Sequence, residues 1–151
     1  MNRRIPMVFT AVLFVAGFCY AQGDAQKDQQ ALQGTWKVTK VVSAGKAQPE
    51  DLVKQITVLF EGDKVTVKLA ADVLSESSFK LDAAKNPKQI DATSLTGPDK
   101  AQKKMSIYEL NGDELKLCHF IGDEGLKKRP ASFDDDKTEP TSTMYLQRQK
   151  K

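Results

Sequence analysis

Met105-Ser106-Ile107-Tyr108-Glu109-Leu110-Asn111-Gly112-Asp113-Glu114-Leu115-Lys116-Leu117-Cys118-His119-Phe120 holds two short runs divided by an Asn-Gly pair. Asn and Gly both tolerate positive φ, which tight hairpin turns demand, so this stretch predicts two antiparallel strands joined at Asn111-Gly112. The same two-residue period recurs upstream. Val65, Val67 and Leu69 alternate with Lys64, Thr66 and Lys68, as in a strand with one buried face. Ile56, Val58 and Phe60 share one face of the preceding run, and Glu61-Gly62-Asp63 turns the chain between the two. Phe79 and Leu81 continue the pattern, Asn86-Pro87-Lys88 leads into a strand around Ile90, and Gly97-Pro98-Asp99 breaks the chain again. Gly34-Thr35-Trp36 opens a first strand that runs to Val42. Ser142 to Arg148 forms the last strand, with Met144, Leu146 and Arg148 on one face.

About eight short strands result. One short helix is expected at Pro49–Gln55, where Pro suits a first turn and Glu50 and Asp51 sit at the positive end of the dipole. Strands do not alternate with long helices, which disfavours a parallel α/β sheet. The expected fold class is all-β: an up-and-down antiparallel barrel, because sequential hairpins that close on themselves remove exposed sheet edges. A two-layer sandwich is the alternative.

The chain has 151 residues, enough for one domain. Residues 1–21 read as a signal peptide. Asn2-Arg3-Arg4 supply a positive start, Ile5 to Phe18 is uncharged and mostly apolar, and Cys19-Tyr20-Ala21 places small residues where a signal peptidase reads. Cleavage after Ala21 and export to the periplasm or the extracellular space are the expectation. The uncharged run falls short of the roughly 20 apolar residues of a spanning helix, so no membrane span is expected after cleavage. Bulky Phe18 before Cys19 argues against a lipoprotein signal. Residues 22–33 read as a polar linker or short helix, and 34–151 as the barrel domain. Losing Arg3 and Arg4 leaves 21 basic residues against 20 acidic, a net charge of about +1, which argues against a nucleic-acid or anionic-membrane surface. Cys118 is then the one remaining cysteine, so the domain relies on its core rather than on a disulfide.

Leu32-Gln33-Gly34-Thr35-Trp36 resembles the Gly-x-Trp opening of lipocalin-type barrels. An ordered set of further pieces resembles something narrower, the uncharacterised lipocalin-like domain abundant in planctomycete bacteria. The pieces are Phe79-Lys80-Leu81-Asp82, Asn86 to Asp91, Ile107 to Asp113, Leu115 to Cys118, Arg129-Pro130 with Phe133, and Leu146-Gln147-Arg148. This resemblance implies a lipocalin-like β-barrel, usually exported, with no established activity. In lipocalin-type barrels a first-strand tryptophan commonly packs under a late arginine at the closed end. The resemblance assigns those two structural places to Trp36 and Arg148, where a cation–π contact adds about 0.5–2 kcal/mol.

His119, the one histidine, shares a strand face with Leu115 and Leu117, expected to be the inner one. It is a candidate ligand contact, with Tyr108 as the second; a histidine satisfied by a neighbouring group is the plainer reading. Cys118 must face the other way, so the pair cannot hold one metal ion. With no second histidine and no second cysteine in the mature chain, no zinc or copper site is expected, and no cofactor is implied. Asp134-Asp135-Asp136 lacks the spacing and glycine of a calcium loop and reads as a solvated acidic loop. No serine sits in a nucleophile elbow, so no catalytic residue is assigned and an enzyme is not expected. Two readings remain. One is a binding module for a small hydrophobic ligand, with the Gly122–Pro140 loop and the Pro49–Gln55 helix at its entrance. The other is a structural or protein-interaction domain at the cell envelope, its barrel filled by Phe60, Phe79, Tyr108, Phe120 and Tyr145. An apolar pocket above roughly 300 Å³ favours the first.

Overall fold

The computed structural model describes residues 19–134 and 140–150. Most of the expected signal segment, together with Asp135 and Asp136, lies outside the described residues. Nine strands follow one another antiparallel: β1 (Gly34–Ser43), β2 (Lys46–Ala47), β3 (Ile56–Glu61), β4 (Lys64–Leu69), β5 (Asp72–Asp82), β6 (Lys88–Ser94), β7 (Lys103–Asn111), β8 (Glu114–Phe120) and β9 (Thr141–Arg148). β9 pairs back onto β1 from Trp36↔Arg148 to Ser43↔Ser142, which closes eight strands into a barrel. Closure leaves none of the eight with a free edge. The two-residue β2 folds back on the end of β1. The all-β, up-and-down barrel expected from the hairpin pattern is therefore the observed architecture.

Three details differ from expectation. The β7–β8 turn consists of Gly112 and Asp113, one residue later than the Asn-Gly pair, because Asn111 pairs with Glu114 and Leu110 with Leu115. The positive φ falls on Gly112 (60°), where it strains no side chain. β5 begins at Asp72, well before Phe79, since Ser75 and Ser77 stand where alternation demands apolar residues. Among the described residues three helices occur, where one is expected at Pro49–Gln55 and a linker or short helix over 22–33: α1 (Cys19–Leu32), α2 (Glu50–Val53) and α3 (Glu124–Lys127).

Helix α1 includes most of the stretch expected as linker or short helix, and it belongs to the domain. Leu32 is fully buried in the main core with Trp36, Val58, Phe60 and Tyr108. The helix ends on the barrel base. A helix C-terminus presents carbonyls without intrahelical partners, and burying them unpaired is costly. Here each one is met. Gln33 donates from its side chain to the Gln29 carbonyl (2.8 Å) and from its backbone to that of Gln30 (3.3 Å). Trp36 Nε1 donates to the Leu32 carbonyl at 2.7 Å. Arg148 donates from Nη2 to the Ala31 carbonyl and from Nη1 to that of Gln33, the latter at 2.8 Å. Its positive charge also suits the negative end of the helix dipole.

The same guanidinium lies 4.2 Å from the Trp36 ring centroid and donates from Nε to Asp113 of the β7–β8 turn at 2.9 Å. A second polar knot ties the flank of α1. Tyr108 donates its hydroxyl to Asp28 at 2.7 Å, and Lys88 approaches the same carboxylate oxygen at 2.6 Å. Burial and the neighbouring Asp28 both hold the Tyr108 hydroxyl protonated, well above the ordinary phenol range.

Trp36 is buried, stacked and hydrogen-bonded, so Trp36→Ala is expected to cost about 3–5 kcal/mol. Urea unfolding followed by circular dichroism measures this; an unchanged midpoint would contradict the role of Trp36 at the base. Arg148→Leu, followed by the fluorescence of the one tryptophan, is expected to lose about 1–3 kcal/mol because two helix-end carbonyls lose their donor.

Candidate functional site: a cup at the barrel mouth

The base lies at the ends of β1 and β3 that meet α1, and the mouth lies at the opposite strand ends. Inward positions change in size along this axis. At the base stand Trp36, Tyr108, Phe60 and Phe79, the two phenylalanines edge-to-face at 5.3 Å between ring centroids. Towards the mouth the same strands carry smaller groups. Ser77 pairs with Ser94 across β5 and β6, and Ala92 with Lys104 across β6 and β7. Ser106 stands between Ile90 on one side and His119 on the other.

An eight-stranded barrel has an interior just wide enough for packed side chains. Small inward residues therefore leave space, here a cavity of about 380 Å³. Its floor is apolar, built from Val58, Phe60, Ile90 and Leu117, and Val65, Val67 and Met144 continue up the wall. Polar groups gather higher: Ser75, Ser77, Ser94, Ser106 and His119 on strands, with Asp99, Gln102, Lys104 and Asp123 at the rim. A larger hollow of about 840 Å³ lies at the base beside Gly34, Glu61 and Lys150. Leu59 and Phe60 are its only large apolar side chains, so it offers little for an apolar ligand.

His119 faces the cup as its strand parity implies. It is half-buried and reached by solvent through the mouth, although protein crowds it on most sides. Burial, reinforced by the positive charge of Lys104, lowers its pKa from 6.5 to about 4, so the ring is neutral at physiological pH. Among the described residues no hydrogen-bond partner meets the imidazole. Ser106 stands opposite without bonding to it, and no carboxylate orients the ring. Nor do the described residues contain a group of three or more His, Cys, Asp or Glu able to hold a metal ion.

No family model, curated protein or solved structure matches this chain.

Several expected placements are corrected by the geometry. Tyr108, expected beside His119 as a ligand contact, does not reach the cup; it is held at the base by Asp28, two layers below Lys104 on β7. Phe120 and Tyr145 do not fill the barrel, because Leu117, His119 and Met144 occupy the inward parity of their strands. Both project outwards, Phe120 beneath Lys128 and Tyr145 between Lys40 and Lys116. Cys118 is buried on the same outer face. Of the two segments expected at the entrance, Gly122, Asp123 and Leu126 line the cup. Helix α2 does not; its Val53 packs into the main core. Strand parity with Tyr108 places Ser106 and Lys104 inward, but the serines of β5 carry no such signal, being polar where a strand reads as apolar.

The depressed pKa of His119 has a consequence for stability. Between pH about 6.5 and about 4 the unfolded imidazole is protonated while the folded one resists the proton. His119 therefore leaves stability intact above pH about 6.5, subtracts from it increasingly as pH falls to about 4, and adds no further loss below. His119→Gln is expected to reduce the stability lost between neutral pH and pH about 4.5 by about 1–3 kcal/mol. Urea titrations of both proteins at the two pH values check this; parallel losses would show that the imidazole is solvated.

Proposed function

We propose that this chain is an exported binding module that holds one small, largely apolar molecule in the mouth of its barrel. The observation that carries this reading is the cavity of about 380 Å³ over an apolar floor. Ligand sites commonly span about 300–1,000 Å³ and combine apolar walls with a few polar groups. Export rests on the signal-like features of residues 1–21. Kinship with the planctomycete lipocalin-like domains belongs to the same proposal, as does the absence of a catalytic role.

A second reading, a structural or protein-interaction domain at the cell envelope, has its own support. The large hydrophobic residues that stay exposed are Leu52, Val73, Leu74, Leu95 and Ile121. All five stand on segments at the mouth: in α2, at the start of β5, just after β6 and just after β8.

Native mass spectrometry of protein purified from its own periplasm or medium is expected to show a co-purifying small molecule and a mature N-terminus at Gln22. A retained Met1 would contradict export. Ala92→Phe places a ring in the cup and is expected to weaken binding of a fluorescent lipid probe at least tenfold while preserving the barrel's circular dichroism. Repeated absence of a bound molecule, with no probe binding by the wild type, sinks the ligand reading and leaves the interaction domain.

A further inference from the structure

Resting on the ligand-binding reading, we propose that the cup selects an amphipathic carboxylic acid. Its hydrocarbon tail lies on the floor formed by Phe60, Ile90 and Leu117, and its carboxylate is met at the mouth by Lys104 and His119. The donor set leads to this class. Among the described residues Lys104 is the only lysine or arginine lining the cup, and it has no ion-pair partner there. Its neighbour Lys103 faces the other way and is paired with Asp91 at 3.2 Å. His119, neutral and unpartnered, offers one N–H donor, and the Ser106 hydroxyl opposite it can turn to donate another. The lysine, the imidazole and the hydroxyl line one cavity, whose floor is apolar. A group that accepts hydrogen bonds and carries a negative charge satisfies all three, and charge-assisted bonds are the stronger kind. An alcohol satisfies fewer of them, and an alkylammonium meets Lys104 with like charge.

Asp99 and Asp123 also stand at the rim, both exposed, and repel an anion that stays there. Lys104 belongs to the barrel wall, on β7 opposite Ala92, whereas Asp99 and Asp123 stand on the segments that connect the strands. A carboxylate drawn inward to His119 and Ser106 therefore keeps its cation and leaves the two acids behind. One lining cation among the described residues suits a monoanion rather than a phosphate dianion.

The test compares three ligands of equal chain length, dodecanoate, dodecanol and dodecylamine, in titrations against the full-length mature protein at neutral pH. The wild type is expected to bind the acid at least about tenfold more tightly than the alcohol, as one hydrogen bond to a charged group allows. Lys104→Ala, a change at an exposed side chain, is expected to abolish the preference for the acid over the alcohol. Lys104→Glu is expected to reverse the order in favour of the amine. Equal binding of acid and alcohol by the wild type, or an acid preference that survives Lys104→Ala, overturns the head-group assignment while the binding reading stands. Binding of none of the three overturns both.

Discussion

Arg148 is the group on which the closed end of this protein depends. Its guanidinium satisfies two carbonyls at the end of α1, stacks on Trp36 of β1 and bonds to Asp113 between β7 and β8, while its own backbone pairs in β9. Three parts of the chain that are distant in sequence, residues 31–36, Asp113 and β9, thus meet on one planar cation. A lysine offers a point charge in place of the flat fork of donors, so it cannot stack and bridge at once. The strand pair that closes the barrel and the helix that seals it are held by the same residue. Seam and plug are therefore coupled, not independent features.

Sealing the base in this way lets the two ends of the barrel differ. The large side chains Trp36, Phe60, Phe79 and Tyr108 are concentrated near α1, where tight packing returns the most stability. The mouth is relieved of that task and carries serine, alanine and lysine on strands whose base ends are bulky. β7 shows this within three inward positions, from Tyr108 through Ser106 to Lys104. Its neighbour β5 passes from Phe79 to Ser77 and Ser75. The cavity is the spatial form of that gradient.

The same gradient explains what sequence reading reaches and what escapes it. Apolar alternation is clear where the inward side chains are apolar: β4, which forms part of the cup wall, the base half of β8 and the Trp36 strand are all legible. It fades where the inward positions are polar. Ser75-Glu76-Ser77-Ser78 has no apolar period, and β5 consequently reads four residues or more too short. The serines that line the cup are thus those that a search for hydrophobic periodicity passes over, while His119 is found because its type draws notice and its parity is fixed by Leu115 and Leu117. Tyr108 shares that parity, yet parity gives the face of a strand and not the height along it. Phe120 and Tyr145 escape for a different reason. An aromatic residue suggests an interior, and here a later segment of chain supplies a second interior outside the barrel wall.

That outer layer bears on how the mouth is held. After Ile121, whose backbone N–H reaches the Pro140 carbonyl at 2.9 Å, the chain forms α3 at the rim and then runs down the outside of the wall. Arg129 fastens it there, donating to the Ser106 and Ile90 carbonyls and to Asp91. Lys103, hydrogen-bonded to the same carboxylate, joins Arg129 in holding Asp91 ionised, against the opposing effect of burial. Farther along, the Phe133 ring lies 4.2 Å beneath the Lys116 ammonium. At the rim itself Gly125 admits no side chain, for a Cβ there would stand 2.5 Å from the Phe120 carbonyl oxygen. Close backbone contact and a buried cation thus fix α3 against β7 and β8, with Leu126 turned to the cup. Under the proposed ligand-binding reading, a wall fastened this way spares the ordering cost that a loose flap incurs on closing, so more of a bound molecule's contact energy would appear as affinity.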